Sequence, residues 1–251
     1  MQNKLINILN FLSDNHKYNN ELQIKFAKNS ISCHKDRYDK LVTLLFDTLN
    51  TQSQPKINNI ASFIQSVYNN KEKCSTFAGF FEFITNSEFD KNNNSPYEQL
   101  FDALLKQDGW GPKTSALLIK NIYNYHKCFN DNTLIIWDDV PDLELGDKIF
   151  LPVDAVILAI FNKQLSKDSK HKYNFYNINK LLHKHFSNKQ LILFDDLWFL
   201  GFITQKGSIT REFEWNENKY WTIKESNKES LCIDVIKDKA AEFLSLIEAT
   251  K

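Results

Sequence analysis

The stretch from Leu104 to Leu118 decides the fold, and it reads Leu-Leu-Lys-Gln-Asp-Gly-Trp-Gly-Pro-Lys-Thr-Ser-Ala-Leu-Leu. Apolar residues three and four apart on both sides predict two helices joined by a Gly-Trp-Gly turn. Glycines such as Gly109 and Gly111 permit positive φ and let another chain approach the backbone closely. The N–H groups that begin the second helix are a natural phosphate site. We therefore expect a helix–hairpin–helix that holds a DNA backbone without reading its sequence, with Trp110 inserted into the core.

A simpler alternative remains for these glycines, because any corner between two helices needs residues that turn sharply. Lys113 adds a second feature, since it lies in the first turn of the second helix, where the helix dipole disfavours a cation. This lysine either extends to a phosphate or acts as a nucleophile. The second role is chemically reasonable because destabilising the ammonium leaves more neutral amine near pH 7.

A carboxylate interrupts the otherwise apolar segment 150–161. Asp154 follows Pro152 and Val153 at the predicted start of a helix. Such a carboxylate is commonly a helix cap. In the same place, a partly buried carboxylate could instead stabilise a cationic transition state. Both interpretations remain open from the sequence.

The composition describes a chain of 251 residues with 31 basic and 31 acidic residues, and thus a formal net charge of zero. This length suits one large domain or two lobes, and an apolar fraction of 42% is ordinary for a soluble protein. Only Arg37 and Arg211 are arginines, which leaves little capacity for reading guanine with guanidinium groups. Zero net charge does not exclude DNA binding, because lysines concentrate locally. That local set comprises Lys163, Lys167, Lys170, Lys172, Lys180, Lys184 and Lys189.

The four cysteines and the apolar runs bear on the protein's location. Cys33, Cys74, Cys128 and Cys232 form no CxxC pair, so neither a zinc ribbon nor an iron–sulfur loop is supported. No apolar run reaches about 18 residues, and the N-terminus lacks the apolar core of a signal peptide. We expect free thiols and a cytoplasmic, nucleoid-associated protein.

Periodicity predicts helices over most of the chain, with two exceptions. The segment Thr133–Trp137 has the pattern of a strand within a less regular region. Residues 213–215 and 220–223 are typical of a β-hairpin across Asn216–Lys219. Lys91–Asn94 predicts a loop, and Ser95 and Pro96 a capped helix start. The predicted helices lie near 4–13, 37–49, 55–67, 76–85, 97–105, 112–125, 152–161, 173–186, 189–204 and 236–249.

Taken together, these segments resemble the helix–hairpin–helix DNA glycosylase superfamily, which includes endonuclease III and the 8-oxoguanine glycosylases. Gly109-Trp110-Gly111-Pro112-Lys113-Thr114 matches the family hairpin, and Pro152-Val153-Asp154 matches its aspartate segment. Residues 44–53 are similar to the family segment whose glutamine, here Gln52, fills the space left by a flipped base. Weaker matches are Asn162-Lys163 and the stretch 194–201. The resemblance covers about residues 38–204.

The resemblance implies a mainly α, two-lobed helix–hairpin–helix glycosylase fold. Its first lobe would be residues 36–127, and its second would combine residues 1–35 with 150–205 and carry the aspartate. Residues 128–149 would be a small β-containing insertion. Residues 206–251 would add the C-terminal β-hairpin and a helix.

The implied function is excision of a damaged or modified base from double-stranded DNA after base flipping. Gln52 would fill the gap, and the DNA-binding hairpin residues would be Gly109, Trp110, Gly111 and Thr114. Lys113 would attack C1′ and form a Schiff base that permits AP lyase cleavage by β-elimination. Asp154 would stabilise positive charge on the sugar and help to deprotonate the lysine. The protein would act as a monomer without a membrane, catalytic metal or redox cofactor, although a monovalent cation at the turn is also implied.

Some features depart from the family pattern. The interval from Lys113 to Asp154 is longer than in endonuclease III, and the family's Leu-Pro before the first glycine is Gln107-Asp108 here. The iron–sulfur cysteines are absent from the sequence, which favours the cluster-free branches. Two alternatives remain: a monofunctional glycosylase in which Asp154 assists a water molecule, and a non-catalytic DNA-binding module. The sequence does not identify the excised base.

Overall fold

Apolar residues recurring every three or four positions form helices over most of the chain, so the prediction of a mainly α protein is confirmed. The computed structural model describes residues 2–90, 95–166, 172–207, 209–223 and 230–248, without the side chains of residues 230 and 231. The helices α1 to α12 span, in order, Gln2–Ile31, Arg37–Leu49, Ile57–Asn69, Phe77–Thr85, Pro96–Leu104, Pro112–Tyr123, Ala155–Ala159, Phe175–His185, Asn188–Leu193, Asp196–Ile203, Glu217–Ile223 and Ser230–Ile247. The predicted loop at Lys91–Asn94 lies outside the described residues, as does the end of the predicted last helix.

The chain divides into two compact units. One unit, here called the hairpin unit, is Gln23–Pro152 and contains α2 to α6. The other, here called the split unit, combines Met1–Leu22 with Val153–Lys251 and contains α7 to α12. Helix α1 contributes residues to both units and continues far beyond the predicted segment 4–13.

Aromatic side chains fill the core of the hairpin unit. Trp137 is 1% exposed. Its ring stacks on Phe80, with centroids 5.2 Å apart, and meets Phe77 edge to face at 5.8 Å. The indole N–H of Trp137 donates to the Cys74 carbonyl at 3.0 Å. A buried tryptophan needs such a partner for its one polar atom. The segment 128–149 is thereby anchored to α4.

The predicted strand at Thr133–Trp137 is wrong. Asn132–Leu134 is a single 3-10 turn, and no described residue of 128–149 pairs as a strand. Side chains satisfy the backbone groups that a neighbouring strand would have bonded. The Lys40 ammonium donates to the carbonyls of Thr133 and Ile135 at 2.7 and 3.1 Å. His126 Nε2 accepts the N–H groups of residues 136 and 137, each at 3.1 Å.

The same segment supplies the caps of two helices. Asp139 accepts the N–H groups of Phe77 and Ala78 at the start of α4, at 2.8 and 3.0 Å. Asp147, which is 2% exposed, accepts those of Tyr97 and Glu98 at the start of α5, at 3.0 and 2.9 Å. Helix starts carry N–H groups without intrahelical partners, and carboxylates there also meet the positive end of the dipole.

The start of α5 partly confirms its prediction. Pro96 is the first helical residue, as expected. Ser95 occupies the N-cap position, but its side chain makes no cap hydrogen bond, because Asp147 takes that role from a distant part of the sequence. The acidic residues of 138–147 thus have a structural purpose that local sequence patterns did not reveal.

A two-stranded antiparallel β element is present near the C-terminus, but the prediction that its strands are residues 213–215 and 220–223 is wrong. The described residues contain one two-stranded antiparallel sheet, formed by Gln205–Lys206 (β1) and Glu212–Phe213 (β2). Glu217–Ile223 is helix α11 instead of a strand. Asn216 explains this outcome, because its Oδ1 accepts the Lys219 N–H at 3.1 Å and begins a helix where a turn was predicted.

A further difference concerns a helix boundary in the split unit. The helix predicted over 189–204 is divided into α9 and α10. At the start of α10, Asp196 is 3% exposed and accepts from His16 Nδ1 at 2.8 Å and from Asn19 Nδ2 at 2.5 Å. Burial raises the pKa of Asp196, and the hydrogen bond to that carboxylate raises the pKa of His16. These contacts tie α1 to α10.

We predict that Asp147→Ala lowers the free energy of unfolding by about 1–2 kcal/mol, because it removes the cap of α5 from a buried position. Urea denaturation measures the loss. Asp142→Ala is the matched control, since Asp142 lies in the same segment but its side chain is 81% exposed. Equal losses in the two variants would contradict a specific capping role for Asp147.

We predict that His126 makes the free energy of unfolding depend on pH. Burial lowers the pKa of His126 from 6.5 to about 4. Its Nε2 also accepts two backbone N–H groups, which it can do only when it carries no proton. The resulting stability is present above pH 6.5 and is lost as the pH falls towards 4, by about 3 kcal/mol in all. Urea denaturation at a series of pH values measures this profile, and His126→Gln should flatten it between pH 4 and 6.5. An unchanged slope in this variant would contradict the role given to His126.

Candidate functional site

The turn predicted from the two glycines lies between α5 and α6 of the hairpin unit. Gly109 has a φ of +86°, in the left-handed region that favours glycine. A Cβ at this position would also lie 3.3 Å from both the backbone nitrogen and the Cγ1 of Ile60. Conformation and crowding together explain why glycine occupies the first position of the turn.

Trp110 is packed into the core, whereas the neighbouring Gly111 is open. Trp110 is 7% exposed and meets Phe63 edge to face, with ring centroids 5.2 Å apart, so its predicted insertion into the core is confirmed. Gly111 has extended backbone angles that any residue adopts. A Cβ there would meet no atom within 4 Å. The turn is thus held from one side by Trp110 and is open at Gly111, where another molecule can approach the backbone.

Thr114 holds the start of α6. Its buried hydroxyl lies 3.0 Å from both the N–H and the carbonyl of Gly111. This side chain was predicted to contact DNA. In the structure it fixes the conformation of the turn, which would affect DNA only through Gly111.

Lys113 is half-buried, and its ammonium contacts the chain just beyond α2. Nζ lies 2.9 Å from the carbonyl oxygen of Thr51 and 2.7 Å from its hydroxyl oxygen. The Thr51 hydroxyl donates its own proton to the Thr48 carbonyl at 2.7 Å. It can therefore only accept from Lys113, which favours the charged form of the amine.

Thr51 is a site residue that sequence reasoning missed. The prediction for Lys113 considered only the start of α6, where a cation is disfavoured. The structure also brings the amine to the end of α2, where the carbonyl ends of the helix favour a cation. The signal in the sequence was a hydroxyl residue directly before Gln52, within a segment already noted for its glutamine.

Gln52 lies beside the same turn. Its amide Nε2 donates to the carbonyl of Gly109 at 3.1 Å. The structure therefore brings together three of the predicted site residues, Gln52, Gly109 and Lys113, around the loop that follows α2. In this arrangement the glutamine side chain stabilises the turn through this hydrogen bond.

Asp154 belongs to the split unit, where it is the N-cap of α7. A single oxygen, Oδ1, accepts the N–H groups of Val156 and Ile157 at 2.8 and 3.0 Å. The capping interpretation is therefore confirmed. The carboxylate is half-buried and fixed in orientation by these two bonds. The Asn162-Lys163 pair has structural contacts, since Asn162 bonds to the backbone of Tyr173 and Lys163 donates to the Thr210 carbonyl.

Neither the hairpin unit nor the split unit shows, in its described part, a group of three or more His, Cys, Asp or Glu side chains that could hold a metal ion. Among the same residues, no helix has the length and apolar character needed to cross a membrane.

Comparison with known proteins found no match to the chain among family models, curated proteins or solved structures.

We predict that Thr51→Val makes the Lys113 amine more reactive near neutral pH, because it removes a hydroxyl that accepts a hydrogen bond from the ammonium. A net hydrogen-bond contribution of about 0.5–1.5 kcal/mol corresponds to a labelling rate about two- to tenfold higher near neutral pH. Mass spectrometry after amine acylation measures the labelling of each lysine against pH. Thr51→Ser keeps the hydroxyl and should label as the natural chain does. Equal behaviour of the two variants would contradict a role for the hydroxyl.

Proposed function

We propose that the protein is a DNA glycosylase that flips out and excises a damaged or modified base, with AP lyase activity through Lys113. The observation that carries the proposal is the arrangement of one amine beside an open turn. The Lys113 amine is fixed 2.7 Å from the Thr51 hydroxyl, and the neighbouring Gly111 has nothing within 4 Å of where a Cβ would be. A phosphate held at the turn would bring the sugar of the same strand near this amine.

The chemistry begins with the charged amine at rest against Thr51. Lys113 must lose a proton before its lone pair can attack C1′ of a flipped nucleotide. The new N–C1′ bond forms as the bond from C1′ to the base breaks, and the base leaves with the electron pair and is protonated. The nitrogen then loses a second proton, and the C1′–O4′ bond breaks as the C1′=N bond forms, which gives the protonated imine while O4′ takes a proton from water. Loss of a proton from C2′ then expels the 3′ phosphate oxygen and nicks the strand.

Asp154 enters the proposal through the family resemblance, which gives it the task of stabilising positive charge on the sugar. Its capping bonds support that task in one respect. Two backbone N–H groups favour the ionised carboxylate, which is the form the task needs. The Asp154→Asn variant therefore tests this task separately from the Lys113→Gln variant.

The non-catalytic alternative is supported by the same contacts that hold the two side chains. Lys113 is placed as a cation by Thr51, and Asp154 is engaged as a helix cap. A module that only grips DNA would need no more than this from either residue. The experiment must therefore detect chemistry as well as binding.

Borohydride trapping on duplexes that contain an abasic site or single modified bases tests the proposal. We expect a covalent adduct with the natural chain, its loss in Lys113→Gln and its retention in Lys106→Gln, which removes an equal charge from the same hairpin. Asp154→Asn should slow base release about a hundredfold or more.

Other outcomes select the rivals. Base release that survives Lys113→Gln but not Asp154→Asn indicates a monofunctional glycosylase. Binding to every duplex without adduct or base release would overturn the enzymatic proposal and leave the binding module.

A further inference from the structure

A continuous part of the split unit contains basic residues and no acidic ones. Between Lys172 and Phe194 the sequence includes four lysines, Lys172, Lys180, Lys184 and Lys189, but neither aspartate nor glutamate. Helix α8 lies within this part. A chain with zero net charge thus has, in its split unit, a segment whose charge is entirely positive.

The structure arranges part of this charge on one side of α8. Tyr176, Lys180 and Lys184 follow each other at intervals of four residues and therefore share a helix face, with about 6 Å between successive positions. All three are exposed, Tyr176 by 58%. Ile178 and Leu182 are fully buried on the opposite side. We call Tyr176, Lys180 and Lys184 the α8 lysine face.

The lysines of this face differ from others in the same unit. Lys206 and Lys239 form ion pairs with Glu214 and Glu242, at 2.8 and 2.9 Å. Neither Lys180 nor Lys184 forms an ion pair with any described acidic residue. Their charge is therefore available to a partner of opposite sign.

We propose that the α8 lysine face docks against the phosphate backbone of duplex DNA, at a contact separate from the hairpin turn. The inference rests on the proposed function for its choice of polyanion. Lysines act as mobile point charges, which suits phosphates better than base edges. Such a contact supplies affinity without sequence preference and releases counterions from the DNA.

An anionic membrane surface fits the observations less well. A helix that lies in a membrane interface inserts its apolar face among the lipids. The apolar residues of α8, Ile178 and Leu182, are instead fully buried within the protein. The exposed face offers charge and a single tyrosine.

Binding of an unmodified duplex, measured by fluorescence anisotropy at several salt concentrations, tests the proposal. Lys180→Gln combined with Lys184→Gln should reduce the slope of log affinity against log salt by about 2, because two phosphate contacts are lost. The matched control combines Lys17→Gln with Lys237→Gln, two exposed lysines of the same unit. This control removes equal charge and should leave the slope unchanged. Circular dichroism and thermal unfolding confirm that both double variants are folded.

Equal slopes in the two double variants would overturn the proposal, since the effect would then follow total charge. Stronger binding to phosphatidylserine vesicles than to duplex, lost in the α8 variant, would assign the face to membranes and also overturn it. An unmodified duplex requires no base excision. If the glycosylase proposal failed, the difference in salt slope between the two double variants would still be expected. If the borohydride adduct formed but the α8 double variant kept the slope of the natural chain, only the proposal for the α8 lysine face would be rejected.

Discussion

The need to satisfy the backbone groups at helix ends constrains this protein more than any single core contact. A mainly helical chain has many such ends, and several begin beside carboxylates that come from outside the helix. Asp139 and Asp147 reach the starts of α4 and α5 from a segment that is itself irregular. Because that segment also buries Trp137 against α4, the caps and the core support each other. The irregular segment is thus part of the folded unit that presents the hairpin.

The same constraint shapes the candidate site. The start of α6 is closed by the Thr114 hydroxyl, and the end of α2 receives the Lys113 ammonium through Thr51. The dipoles of two helices therefore act on the charge of this lysine in opposite directions. The start of its own helix disfavours its charge, while the end of α2 favours it. Thr51 contacts the resting ammonium through both its carbonyl and its hydroxyl, so the proposed nucleophile would have to leave both contacts before its lone pair could attack.

Sequence patterns predicted the parts of this structure that depend on local periodicity. The helices around the turn, the inserted Trp110 and the capping position of Asp154 follow from spacing and residue type. The prediction of a strand at Thr133–Trp137 was wrong because a β-like pattern does not show which group will bond the backbone. Here the side chains of Lys40 and His126, which lie outside the segment, bond its backbone in place of a neighbouring strand. Thr51 was missed for a related reason. Its role depends on a lysine that lies in another helix.

The formal net charge of the chain does not describe the charge that a binding partner meets. A balance of 31 basic and 31 acidic residues describes the chain as neutral, but the two signs are not spread evenly along it. Carboxylates such as Asp147 and Asp196 are buried, where they accept hydrogen bonds from N–H groups or polar side chains. Lys180 and Lys184 remain exposed on α8. A partner meets the local exposed charges and not the formal sum, so a neutral chain can present a basic face where exposed lysines lie in a segment without acidic residues.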